Sequence, residues 1–276
     1  MNSGAETKLP PGALSGKTVF AAASVKLLPE LSNGLRALGA DVLSIPVLEA
    51  EEIEDNAALD RAIANISQYD WIVFTSAWGV SFFAKRLVLI SKSANVPADL
   101  PKICTIGRAT AGTAEKHGFH VTLTADNFTA EGVMQSMERY YGGAKNLRGL
   151  GVLIPRALEA REFLPAALNS AGCRVDTIPC YRTVLPEPDA ELSTRLRKEA
   201  PDLIVFTSAK ALRNFLKTAA AAVGENAVRS RLGDAVVAAI GPVTAAALES
   251  EGRMAEIIPA ESAVPSLLAA IADFFR

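Results

Sequence analysis

The chain repeats itself. Segment 19–46, VFAAASVKLLPELSNGLRALGADVLSIP, matches 152–179, VLIPRALEAREFLPAALNSAGCRVDTIP, at an offset of 133 (152 − 19). Leu31/Leu164, Leu35/Leu168, Gly39/Gly172, Val42/Val175, Ile45/Ile178 and Pro46/Pro179 coincide without a gap. VFTSA stands at 73–77 and again at 205–209, and IGRATA at 106–111 answers IGPVTA at 240–245, offsets of 132 and 134. Three matches in one order at nearly one spacing constrain the fold more than any local pattern does. The 276 residues are a duplication of a unit of about 130 residues, a common domain size.

Within each unit short apolar runs alternate with segments of helical spacing. In the first, Val19–Ala22, Asp41–Ile45, Asp70–Phe74, Ile103–Ile106 and His120–Leu123 read as strands. Helices are predicted over Leu27–Leu38 (ended by Gly39), from Ser76, and over Arg108–Lys116 and Thr129–Tyr140. In the second, the strands are Gly151–Ile154, Arg174–Ile178, Asp202–Phe206, Ala235–Ile240 and Glu256–Ile258. The helices are Ala160–Ser170, Ser208–Ala219, Pro242–Glu249 and Val264–Phe275. Alternating β and α elements predict an α/β fold of doubly wound parallel sheets, with helices on both faces.

Composition narrows the function classes. Half the residues are hydrophobic and the net charge is −2, which speaks against a nucleic-acid binder working by bulk charge. No apolar run reaches the ~20 residues of a membrane span. MNSGAETKLPPGALSGK lacks the apolar core of a signal peptide, so residues 1–16 read as a polar leader and the expected location is the cytoplasm. Cys104, Cys173 and Cys180 are too few and scattered for a disulfide framework or a metal site. His117 and His120 have no ligand set around them. Neither G-x-G-x-x-G nor G-x-x-x-x-G-K-[ST] occurs, which disfavours a nucleotide site. No coiled-coil seam is present, and a monomer is expected.

Sheets of this kind carry their sites beyond the carboxyl ends of the strands. The turns there hold Thr75-Ser76, Gly107-Arg108, Pro155-Arg156, Thr207-Ser208 and Gly241-Pro242. Ser, Thr or Gly at a helix start can serve as a cap alone. Several such turns together, with free N–H groups and helix dipoles, would suit a ligand with many carboxylates or phosphates. Arg108 and Lys210 start helices and either pair with such a ligand or carry solvated charge. Tyr181, in IPCYRTV, is either a packed tyrosine or a protonated phenol able to donate a hydrogen bond.

VFTSAWGV, IGRATA, IPRALEAREFLPAAL, CYRTV, VFTSAKAL, AIGPVTAAAL and PAESAVP, in this order and spacing, resemble the uroporphyrinogen-III synthase family of tetrapyrrole biosynthesis from about residue 17 to the end. The resemblance implies two α/β domains of similar fold joined by a two-stranded β-ladder hinge. Domain one would be 17–44 plus 186–276, domain two 52–177, and the ladder 45–51 with 178–185. It implies a cyclising lyase that uses neither cofactor nor metal. That enzyme would convert the linear hydroxymethylbilane, received from hydroxymethylbilane synthase, to uroporphyrinogen III, inverting the last ring through a spiro intermediate in an interdomain cleft. Tyr181 matches the family tyrosine proposed to assist the leaving hydroxyl. Thr75, Ser76, Thr207, Ser208, Gly241, Thr244 and Ser262 match cleft positions, and Gly107, Arg108, Arg156 and Lys210 join them as candidate substrate contacts. Two departures stand out: no arginine follows the first strand in VFAAASV, and bulky Trp78 sits in the first TSA turn. Two readings outside this class remain, a two-domain anion-binding protein without catalysis and a flavodoxin-like nucleotide binder.

Overall fold

A computed structural model describes residues 12–91, 97 and 99–276. In chain order the strands are β1 (Thr18–Ser24), β2 (Asp41–Glu52), β3 (Trp71–Phe74), β4 (Lys102–Thr105), β5 (Val121–Thr124), β6 (Gly151–Ala157), β7 (Arg174–Val184), β8 (Leu203–Phe206) and β9 (Val236–Ala239). The helices are α1 (Leu28–Ala37), α2 (Ala57–Ala64), α3 (Ala77–Ser91), α4 (Arg108–Lys116), α5 (Ala130–Tyr141), α6 (Phe163–Ser170), α7 (Ala190–Lys198), α8 (Ala209–Val223), α9 (Glu225–Asp234), α10 (Pro242–Ser250) and α11 (Val264–Phe274).

The chain divides into two compact units, one formed by the described residues through Glu49 with Val184–Arg276, the other by Ala50–Thr183. Both boundaries fall inside long strands, β2 and β7, which run further than the apolar runs Asp41–Ile45 and Arg174–Ile178 suggest. Unit 1 therefore opens with the first repeat's βαβ segment and continues with the second repeat's remainder. Unit 2 has the reverse composition. The polar leader expected over 1–16 falls mostly outside the described residues. Within them, Leu14 is fully buried and its N–H bonds to Leu38 O, so packing of unit 1 starts before residue 17.

In unit 1 the parallel order is β2-β1-β8-β9. Strand side chains alternate between faces. Phe20, Ala22, Ile204 and Phe206 pack under α7, α8, α9 and α10; Val19, Ala21, Leu203 and Val205 pack under α1 and α11. In unit 2 the parallel order is β5-β4-β3-β6-β7. Ile72 and Phe74 meet α2 and α3, while Trp71 and Val73 meet α5 and α6. Burial on both faces explains why these strands read as unbroken apolar runs.

The repeat extends to single hydrogen bonds. Asp202 Oδ2 accepts from Thr18 N at 2.8 Å, and Asp70 Oδ2 accepts from Gly151 N at 2.8 Å, pinning the first residue of β1 and of β6. Gly39 and Gly172 both take positive φ, +96° and +88°, where α1 and α6 turn into the next strand. After each Ile-Pro pair the register shifts by one residue, at Val47 in β2 and Cys180 in β7. The bulge accommodates a proline that cannot donate to the ladder.

The strand expected at Glu256–Ile258 is reduced to an isolated bridge between Ala238 and Ile257. Helix α6 begins at Phe163, not Ala160, because residues 158–162 are a loop held by Arg156. Helices α2, α7 and α9 went unread in the sequence.

Candidate functional site

In unit 2 the candidate residues sit at the carboxyl ends of β3, β4, β6 and β7. Ser76 precedes α3 and its Oγ accepts from Gly79 N at 2.9 Å, a capping bond. The same oxygen lies 2.8 Å from the Tyr181 hydroxyl. Tyr181 is 5% exposed, stacked on Phe82 with ring centroids 5.5 Å apart and edge-on to Trp78 at 6.0 Å. Burial pushes the phenol above its ordinary range, and Ser76 acts in the opposite sense. Ser76 uses its Oγ lone pair on Gly79 N–H. Its own proton can therefore point at the Tyr181 oxygen, leaving the phenol proton for another acceptor. Burial also raises the neighbouring Cys180 thiol to about 12, which keeps it protonated.

Thr75 and Arg156 line one pocket of about 370 Å³ together with Ile106, Ile154, Phe128 and Phe163. Arg156 is buried. It donates to Arg161 O and pairs with the exposed Glu162 carboxylate, while its Nε has no partner. Gly107 begins α4 without a side-chain cap, and a Cβ there would run into the Phe128 ring. Arg108 lies in an adjoining depression that shares Phe128 as a wall.

Unit 1 repeats the frame with other side chains. Ser208 caps α8 by accepting from Ala211 N at 3.0 Å. Thr207 Oγ1 donates to Ala22 O at 3.4 Å, and exposed Lys210 stands in the first turn of α8. Gly241 begins α10 without a side-chain cap, and a Cβ there would run into Ser262 Oγ. Thr244 is buried beneath that turn. The serine turns thus use one helix-start donor for capping, whereas the glycine turns leave theirs without a side-chain acceptor.

Phe128, Phe163, Arg161 and Thr129 were not singled out in the sequence. The repeat held one signal for Phe128, which lies 134 residues before Ser262. Nothing in the sequence marked its positive φ of +46°. Among the described residues no group of three or more His, Cys, Asp or Glu is placed to hold a metal ion.

A family model described as uroporphyrinogen-III synthase HemD matches residues 29–269. The uroporphyrinogen-III synthase of Synechococcus elongatus is 30% identical over 267 residues, 95% of this chain and 97% of that protein. A putative uroporphyrinogen-III synthase of Methanothermobacter thermautotrophicus is 30% identical over 244 residues, 86% of this chain and 90% of that one.

This chain belongs to the uroporphyrinogen-III synthase family.

It is thereby a lyase of tetrapyrrole synthesis. The uroporphyrinogen-III synthase fold is matched as well. A mutant synthase from Thermus thermophilus superposes with TM-score 0.61 at 17% identity, covering 92% of this chain and 96% of that one. The Helicobacter pylori synthase gives TM-score 0.58 at 17% identity, covering 94% and 99%. No described helix is long and apolar enough to cross a membrane.

Proposed function

We propose that the chain cyclises hydroxymethylbilane to uroporphyrinogen III with loss of water and inversion of the last pyrrole ring. The observation that carries this reading is the Ser76–Tyr181 pair at the strand ends of unit 2, in a chain of this family. The hydroxymethyl C–O bond breaks with push from its own pyrrole nitrogen, and the hydroxyl takes up one proton to depart as water, a proton given back by the carbon of the last ring at which the macrocycle recloses. Tyr181, oriented by Ser76, donates a hydrogen bond to that departing oxygen. The cation left behind is attacked by the substituted carbon of the last ring, and the spiro intermediate fragments and recloses. No strong acid is needed, so a buried, protonated phenol suffices.

The remaining demand is positioning, since unassisted closure gives the uninverted isomer. Eight substrate carboxylates are read as meeting the uncapped turns at Gly107 and Gly241. Thr75, Arg108, Arg156, Thr207, Ser208, Lys210, Thr244 and Ser262 complete the proposed contacts, and the substrate is taken to engage the strand ends of both units. Segments 45–51 and 178–185 are proposed as the hinge ladder. The cytoplasm and the monomer belong to the same reading, with substrate handed over by hydroxymethylbilane synthase.

The test is a coupled assay in which hydroxymethylbilane, generated in place, is fed to the purified chain and the oxidised uroporphyrin isomers are separated. Mostly type III supports the reading. Type I alone, from a folded chain, overturns it and leaves an anion-binding protein.

A further inference from the structure

We propose that the 370 Å³ pocket of unit 2 is a single-ring subsite, taking one pyrrole with its carboxylate arms between the Phe128 and Phe163 rings and the Arg156–Arg161 corner. This rests on the reading just given and adds which part of the molecule grips an individual ring. Three observations converge on it.

The first is size. Small-molecule sites run from about 300 to 1,000 Å³, and this pocket lies at the lower end. It accommodates one five-membered ring with two short acid arms, not a chain of four.

The second is its walls. Phe128 is 62% exposed and Phe163 47% exposed, an arrangement that burial of apolar surface does not favour. Phe128 is also the only described non-glycine residue at positive φ, +46°, a conformation unfavourable for a bulky side chain. Its ring lies over Gly107, where a side chain would displace it. An aromatic held out of the core in a strained conformation, over a position that must stay bare, is accounted for by a flat ligand that stacks on it.

The third is charge. Arg156 and Arg161 line the pocket with Glu131; Arg156 already pairs with the Glu162 carboxylate, so Arg161 and the Arg156 Nε–H are the donors left facing a ligand. Arg156 is 8% exposed, and its Nε has no partner. Ala130 and Glu131 also line the pocket, and their N–H groups open the twelve-residue helix α5. Thr129 Oγ1 takes only the Gly132 N–H, at 3.0 Å, so the first-turn donors remain for an anion. Ring walls beside a cationic corner match a pyrrole acid better than a plain dicarboxylate or a plain apolar ligand.

Porphobilinogen, one pyrrole with an acetate and a propionate, is the probe, and glutarate, a dicarboxylate without a ring, is the control. Both are titrated into the full-length chain and followed by amide NMR. The expected result is saturable shifts at Phe128, Thr129, Ala130 and Arg161 with porphobilinogen and not with glutarate at equal concentration. Phe128→Asn, whose side chain tolerates positive φ, should weaken binding roughly five- to tenfold with an unchanged or higher Tm. Phe128→Tyr should keep binding. Phe163→Ala gives the same loss from the other wall and serves if Phe128→Asn folds poorly. Absent shifts, equal shifts with glutarate, or full binding by both ring-less variants each overturn the subsite. The isomer assay on the same preparation separates the two claims. Type III product without porphobilinogen binding removes the subsite and keeps the synthase reading. Binding with type I product alone removes the synthase reading and keeps a ring-and-acid pocket.

Discussion

At the bulge after each Ile-Pro pair, the two units place different residues on the same frame. In unit 1 the bulge residue is Val47, its carbonyl accepts from buried Asn214 Nδ2 at 2.7 Å, and Leu48 follows. In unit 2 the bulge residue is Cys180, Phe82 occupies the place of Asn214, and Tyr181 follows, stacked on Phe82. One helix turn earlier, Lys210 in unit 1 answers Trp78 in unit 2. The scaffold bonds are shared: Asp202 and Asp70 hold Thr18 and Gly151, and Ser208 and Ser76 cap α8 and α3. Duplication has preserved what sets the backbone and released the side chains around the bulge. Unit 2 has become aromatic, with one phenol, and unit 1 polar.

If the phenol is the chemical difference between the units, Tyr181→Phe should lower turnover by about a hundredfold while Leu48→Ala leaves it nearly unchanged. Steady-state rates with isomer analysis measure both. Ser76→Ala should lower turnover about tenfold, because the phenol stays but loses its partner. Ser208→Ala should cost about 1 kcal/mol of stability as a lost cap, as Ser76→Ala does at α3, but with a smaller loss of turnover than Ser76→Ala. Equal losses of turnover at Ser76 and Ser208 would erase the distinction drawn between the two turns.

The polar counterpart is tested by stability. Asn214→Leu leaves the Val47 carbonyl buried without its donor and should cost about 2 kcal/mol. Phe82→Leu, an apolar exchange at the matching place, should cost about 1 kcal/mol. Urea unfolding followed by separate probes for each unit reads the difference, since a two-unit chain need not unfold in one step.

A smaller effect distinguishes the strand anchors. The Thr18 N–H and the Lys17 ammonium hold the Asp202 carboxyl below the usual carboxylate range. A lowered native pKa stabilises fully above the unfolded value, about 3.9, and that contribution disappears as pH falls through the native value. The stability difference between wild type and Asp202→Asn should therefore be largest above about pH 5 and shrink below about pH 3. Unit 2 has Leu150 where unit 1 has Lys17. A Leu150→Lys variant should bring to Asp70 the ammonium that Asp202 has in Lys17, an ion pair worth at most about 1 kcal/mol.

Much of this frame was legible because the repeat supplies each element twice. Gly39 and Gly172 mark helix ends in both copies, and the VFTSA turns appear as serine caps in both units. The helices that went unread share one physical trait. Each of α7 and α9 buries only two apolar residues one turn apart, Leu192 with Leu196 and Val228 with Leu232, so the stripe is too narrow to show periodicity. In α2 the stripe is Leu59, Ala62 and Ile63, equally short. Strands β2 and β7 run past the apolar runs Asp41–Ile45 and Arg174–Ile178 because a bulge carries the ladder beyond Pro46 and Pro179. At the site, the turn residues were legible from their place after strands. The Ser76–Tyr181 bond joins residues 105 positions apart, and no local sequence signal marks the positive φ of Phe128.

Cysteine placement gives a way to follow one unit without the other. Cys104, Cys173 and Cys180 all belong to unit 2, and all are buried. Burial raises the Cys104 and Cys180 thiols to about 12 and moves Cys173 upward as well. The nucleophile is the thiolate, so iodoacetamide at about pH 8 should leave native protein unlabelled over hours. Rising urea should then label the chain only as unit 2 opens, while far-UV circular dichroism follows both units. Labelling that precedes the main loss of ellipticity would show unit 2 to be the less stable unit, and labelling that lags it would assign that place to unit 1. Coincident curves would mean that β2 and β7, which pass through both units, couple them into one cooperative transition. In that case Asn214→Leu in unit 1 should shift the labelling midpoint of unit 2 by its full stability cost.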